Sequence, residues 1–102
     1  MTGLYNEVSY YIREAAQLAL LASVAESDDR ACLCDWMGQP QQAHRIRQVH
    51  ARLCVLRDAQ VSPADALRAA VAGRQSAIAF AAGRWTEAMQ WHRVLNEIDE
   101  RS

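Results

Sequence analysis

Residues 4–26 read LYNEVSYYIREAAQLALLASVAE. Within them Leu4, Val8, Tyr11, Ala15, Leu18, Ala22 and Ala25 recur at steps of three and four, which winds them into one apolar stripe along an α-helix. The opposite stripe begins polar, with Asn6, Arg13 and Gln17, and then turns apolar at Leu20 and Val24. The second half of this helix is therefore apolar nearly all round, as in a helix that is central in its domain or covered by a partner. The expectation is a helix over residues 4–26 with the first stripe turned inward. Tyr10, Leu20 and Val24 then form an outward line suited to contact with another protein or a second copy.

The rest of the chain reads as further helices. Ser27-Asp28-Asp29-Arg30 offers a break and a cap for a short helix over residues 31–37. Gly38-Gln39-Pro40 ends it, and Pro40 can open the next helix because proline is tolerated in a first turn. That helix runs to Asp58, with Ile46, Val49, Leu53 and Leu56 on one face and Arg45, Arg47, Arg52 and Arg57 beside them. Ser62-Pro63-Ala64-Asp65 supplies a capping hydroxyl, a first-turn proline and a carboxylate, and so starts a helix reaching Ala82. Its small residues Ala69, Gly73 and Ala77 allow another helix to approach closely. After the turn at Gly83, a last helix spans residues 86–98, with Ala88, Trp91, Leu95 and Ile98 inward.

Composition agrees. The chain has 102 residues, enough for one domain over 1–102 with its own core. Nineteen residues are Ala and all 11 basic residues are Arg, while the strand-favouring residues are scarce and never alternate. The fold class is all-α, a compact bundle of four to five helices. The preference for Arg and Ala is that of a GC-rich bacterial or phage coding sequence. No run reaches the roughly 20 apolar residues of a membrane span, and no basic leader precedes the apolar stretch, which points to the cytoplasm.

Charge is segregated. Residues 1–35 hold two Arg against six acids, and residues 36–57 hold four Arg and no acid. Docking the basic helix beside the acidic 26–35 segment neutralises both; left open, Arg45, Arg47 and Arg52 would form a face for an acidic partner.

Chemistry-bearing constellations are sparse. Cys32, Cys34 and Cys54 with His44, His50 and His92 provide nitrogen and sulfur, yet Cys32 and Cys34 stand two apart and diverge on a helix. They read as buried, reduced thiols, with no metal and no cofactor. His50 reads as a satisfied interfacial histidine. No nucleophile motif or phosphate-cradling glycine loop is present, so the chain is not expected to be an enzyme. Residues 78–93 carry the small residue, turn glycine and later apolar residue of a helix-turn-helix, with Arg84, Thr86, Gln90 and Arg93 on its second helix. Against DNA binding stand Arg84 where an apolar residue usually fills the turn, Glu87 on the groove side, and the net charge of -2 from residue 85 onward.

The stretch Ala82-Gly83-Arg84-Trp85-Thr86-Glu87-Ala88-Met89-Gln90-Trp91 resembles the turn and second helix of a tetratricopeptide repeat: glycine, an aromatic two on, then Glu-Ala before an apolar residue. Upstream, Leu18-Ala19-Leu20, Asp29 to Leu33, Trp36 to Gln39, Ala43 and Arg45-Ile46-Arg47 resemble the tetratricopeptide-like chaperones of type III secretion needle subunits. The resemblance implies a tetratricopeptide-like C-terminal hairpin and a helical surface that holds another protein. The functional expectation is stoichiometric protein binding, as chaperone, adaptor, anti-activator or phage-type inhibitor, by a homodimer. The alternative is a DNA-binding regulator using residues 78–93.

Overall fold

A computed structural model describes the backbone of residues 2–101 and the side chains of residues 9–101. Four helices follow one another: α1 (Thr2–Trp36), α2 (Pro40–Asp58), α3 (Pro63–Ala81) and α4 (Trp85–Arg101). The described residues contain no strand. The chain is all-α, as its composition requires.

α1 does not break at Ser27. Residues 27–36 contain neither Gly nor Pro, and the Ser and Asp there lower helix propensity by only about 0.5 kcal/mol each. The Ser27 hydroxyl donates to the Val24 carbonyl one turn back (2.8 Å), so it is satisfied inside the helix instead of capping a new one. Burial of Ala31 and Cys34 holds the added turns against the body. The expected short helix is thus the end of a single 35-residue rod.

The ends of α2 and α3 and the start of α4 lie within a residue of where the sequence puts them, while α4 runs on to Arg101, past the expected end at Ile98. Gly38 and Gly83 both adopt φ +74°. Each closes its helix with a paired motif: Gln39 N–H reaches the Cys34 carbonyl and Gly38 N–H the Asp35 carbonyl, while Arg84 and Gly83 do the same to Ala79 and Phe80. Pro40 opens α2 and Pro63 opens α3, the latter after Ser62, whose hydroxyl accepts from Asp65 N–H at 3.2 Å. The turn after α2 holds Gln60, a non-glycine at φ 52°.

α2 and α3 form the centre, and α1 and α4 flank them without touching each other. Ile46, Val49, Leu53 and Leu56 of α2 are fully buried. They meet a small-residue face of α3 in which Ala69, Gly73 and Ala77 are buried, so the backbones approach closely. Phe80, Leu95 and Ile98 fill the α3–α4 seam. Contacts between 65 and 101, 76 and 88, and 80 and 85 show that α3 and α4 run antiparallel along their whole length. At about 1.5 Å per residue, α1 is nearly twice as long as the helices it packs on. It accounts for the long dimension of the 56 × 25 × 20 Å molecule, and its Tyr10–Ala15 turns are exposed.

Candidate protein-binding surface

The inward face of α1 is Ala16, Leu20, Ser23, Val24, Ser27, Ala31 and Cys34, all buried. Leu20 is 0% exposed. The stripe expected inside is the outer one instead: Tyr11 (66% exposed), Ala15, Leu18 (59%), Ala22 and Ala25 face away from the body. Its first members, Leu4 and Val8, lie outside the residues whose side chains are described. Leu20 and Val24 are therefore core residues and cannot form an outward contact line. The reason is steric and local. Ser23 and Ser27 flank Leu20 and Val24 and let α3 and α2 approach, the Ser23 hydroxyl donating to the Ala70 carbonyl at 3.0 Å. Ala15, Ala22 and Ala25 offer less apolar area to bury than Leu20 and Val24 do.

Tyr10 is exposed, with its ring edge-on to Tyr11 at 5.8 Å. Around the outer stripe stand more exposed apolar side chains: Ile12, Leu21, Leu33 and Trp36, the last 85% exposed. α3 adds Leu67 and Val71 on its own outward face. Across the junction of the two helices Glu26 pairs with Arg74 at 3.3 Å.

The arginines of α2 do not form one open patch. Arg47 is engaged by Asp35, so this part of the acidic 26–35 segment does meet the basic helix. Arg52 is taken by Asp99 of α4 and Arg57 by Asp58. Arg45 makes no ion pair among the described residues and lines an open groove with His44, Gln48 and Trp85. The three arginines proposed together are thus separated by their partners, and only Arg45 retains an uncompensated charge.

The titratable groups inside are structural in their contacts. His50 Nδ1 lies 3.0 Å from both the Ser27 hydroxyl and the Val24 carbonyl. A carbonyl can only accept, so His50 donates from Nδ1, and its Nε2 lies 3.6 Å from Cys54 Sγ. His50 is the satisfied interfacial histidine expected, stitching α1 to α2. Cys34 is buried, which raises its thiol pKa, and Arg30 opposes that rise. Cys32 departs from the expectation because it is exposed. Two residues along α1 from Cys34, it points the other way. His92 is pushed below the usual histidine range, first by burial and then by the charges of Arg52 and Arg45. Its ring stands edge-on to Phe80. Among the described residues no cluster of His, Cys, Asp or Glu could hold a metal ion, and no helix is long and apolar enough to cross a membrane.

Met37, Val55, Trp85 and Met89 are exposed elsewhere, but most of the large exposed apolar side chains described lie on α1. No family model, curated protein or solved structure matches this chain. Its functional reading therefore rests on its own geometry. Leu18, Leu21 and Leu33 are the residues that sequence reasoning missed as candidates for an exposed contact face. The step pattern of the first stripe was visible throughout; its exposure was not.

Proposed function

We propose that this protein acts by stoichiometric binding of another protein, without catalysis, through the outer face of α1. The observation that carries this reading is the continuous apolar line Tyr11, Ala15, Leu18, Ala22 and Ala25, left uncovered on a helix that already has a complete buried face. Exposed apolar lines of this extent mark contact sites in proteins that do not aggregate. Tyr10, Tyr11 and Trp36 add the aromatic anchors that concentrate binding energy in interfaces. Chaperone, adaptor and anti-activator are the roles that such a surface serves, in a reducing cytoplasmic setting that keeps Cys32, Cys34 and Cys54 as thiols.

The helix-turn-helix alternative has less support. Such a motif crosses two short helices at about 90–120°, whereas Asp65 and Arg101, at the far ends of α3 and α4, lie 3.0 Å apart. Arg84, expected to face a groove, is paired with Glu87.

The test is a pair of charged substitutions on the line. Tagged wild-type protein from the native host should retain one protein at fixed stoichiometry, and Leu18→Glu with Ala22→Glu should lose it while the circular dichroism at 222 nm is unchanged. Arg45→Glu should retain it. Retention by the α1 variant, or loss only with Arg45→Glu, refutes the reading.

A further inference from the structure

Along the outer line of α1, residues 11, 15, 18, 22 and 25 alternate steps of four and three, a mean of 3.5. A 3.5-residue period is the one two helices keep when they wind around each other. The shape of the line therefore suits a helix, not a strand or an extended peptide.

One edge of the line is acidic. Glu14, Asp28 and Asp35 stand at multiples of seven residues, interrupted only by Leu21. Glu14 and Asp28 are exposed and make no ion pair among the described residues. Asp35 has drifted round to Arg47 on α2, as a strict seven-residue row does on a straight helix. The next seam position after Ala25 is Asp29, also exposed and without an ion pair among the described residues. The other edge of α1 reads Ile12, Ala19, Glu26 and Leu33, where Glu26 is paired with Arg74 of α3.

These charges discriminate between occupants. In an antiparallel pairing of two copies the acidic edge would run against itself. A parallel pairing in register would set Asp29 against Asp29 within the seam. Both juxtapose like charges, which interfaces use to reject wrong partners. An anionic lipid surface is repelled by the same row.

We propose that the outer seam of α1 docks an amphipathic helix of a different protein, one whose apolar stripe is flanked by Arg or Lys at seven-residue spacing. This deepens the protein-binding reading and rests on it. A basic side chain at the layer of Asp29 and a basic row opposite Glu14 and Asp28 would complete every exposed charge along the seam.

The test uses two synthetic four-heptad peptides with the same Leu seam, one flanked by Lys and one by Glu. Their binding to the full-length protein is read by fluorescence anisotropy. At low salt the Lys-flanked peptide should bind roughly tenfold more tightly, the sum of a few exposed pairs. The advantage should shrink at about 0.3 M salt as screening grows. Asp28→Lys with Asp29→Lys should invert the preference, and Leu18→Glu should abolish binding of both. Equal binding of the two peptides, no binding of either, or a dimer in sedimentation that Leu18→Glu dissociates would overturn the proposal. If that happens while Leu18→Glu with Ala22→Glu still loses the protein bound in the host, only the helix and charge assignment fails. If that variant keeps the bound protein, the binding reading fails as well.

Discussion

Leu18 and Leu20 are the same residue two positions apart on one helix, and the structure gives them opposite environments. Leu20 is fully buried, so Leu20→Ala removes about three carbons from the core and leaves a cavity, a loss of roughly 2.7–5 kcal/mol. Leu18 is 59% exposed. The same truncation there forfeits less than half of a transfer energy of about 2.4 kcal/mol, and alanine's higher helix propensity returns a few tenths. The expected cost is about 0.5–1 kcal/mol, less than half of that at Leu20. Equilibrium urea unfolding, followed by circular dichroism and tryptophan fluorescence, separates the two cases. With a slope of about 1–2 kcal/mol per molar, Leu20→Ala should lower the midpoint by about 2 M and Leu18→Ala by well under 1 M. The stripe assigned inward from the sequence demands the reverse order. Equal costs, or a larger loss at Leu18, would refute the orientation of α1 and with it the exposed seam.

Three other outcomes follow from local geometry. A Cβ on Gly73 would lie 2.6 and 2.7 Å from the two methyl carbons of Leu53, so Gly73→Ala should destabilise by about 1 kcal/mol, overpacking outweighing the propensity gain. In a double-mutant cycle with Leu53→Ala the combined cost should fall below the sum by about 1 kcal/mol, and strict additivity would contradict the contact. Gln60 holds φ 52° where the other two helix ends use glycine; Gln60→Gly should stabilise by about 0.5–1 kcal/mol in thermal unfolding, and a loss would show that its side chain contributes. His92 has a folded-state pKa below its unfolded value. The unfolded chain therefore takes up the proton first, and its contribution to stability is complete above the unfolded pKa and declines as pH falls through about 6.5 toward the folded value. Urea midpoints measured between pH 8 and 5 should fall less steeply in His92→Gln, and identical slopes would show that His92 titrates as it does unfolded.

Much of this fold is written in single residues. Gly38, Pro40, Ser62-Pro63 and Gly83 mark the helix ends because each satisfies or forbids a particular backbone group, and those effects need no tertiary partner. The face of α2 was equally legible, since Ile46, Val49, Leu53 and Leu56 are its only continuous bulky line. α1 was not. It carries two apolar stripes, and periodicity alone does not say which one the body covers; that depends on how closely α3 and α2 can approach Ser23 and Ser27. The same serine misled at the supposed break, because a hydroxyl able to cap a new helix can equally bond back to Val24. The arginines of α2 formed a row in the sequence, but their charges are divided among Asp35, Asp99 and Asp58, which come from three segments of chain. Of the residues first chosen for partner contact, Tyr10 and Arg45 are exposed without an ion pair, while Leu20 and Val24 belong to the core.

The central claim, that the outer face of α1 is where another protein sits, is tested most directly by photo-crosslinking in the native host. A benzophenone amino acid replaces Leu18 in one strain and Gln90, an exposed residue of α4, in another. A discrete adduct with one protein is expected from position 18 and none from position 90. An adduct from position 90 with none from position 18 would contradict it.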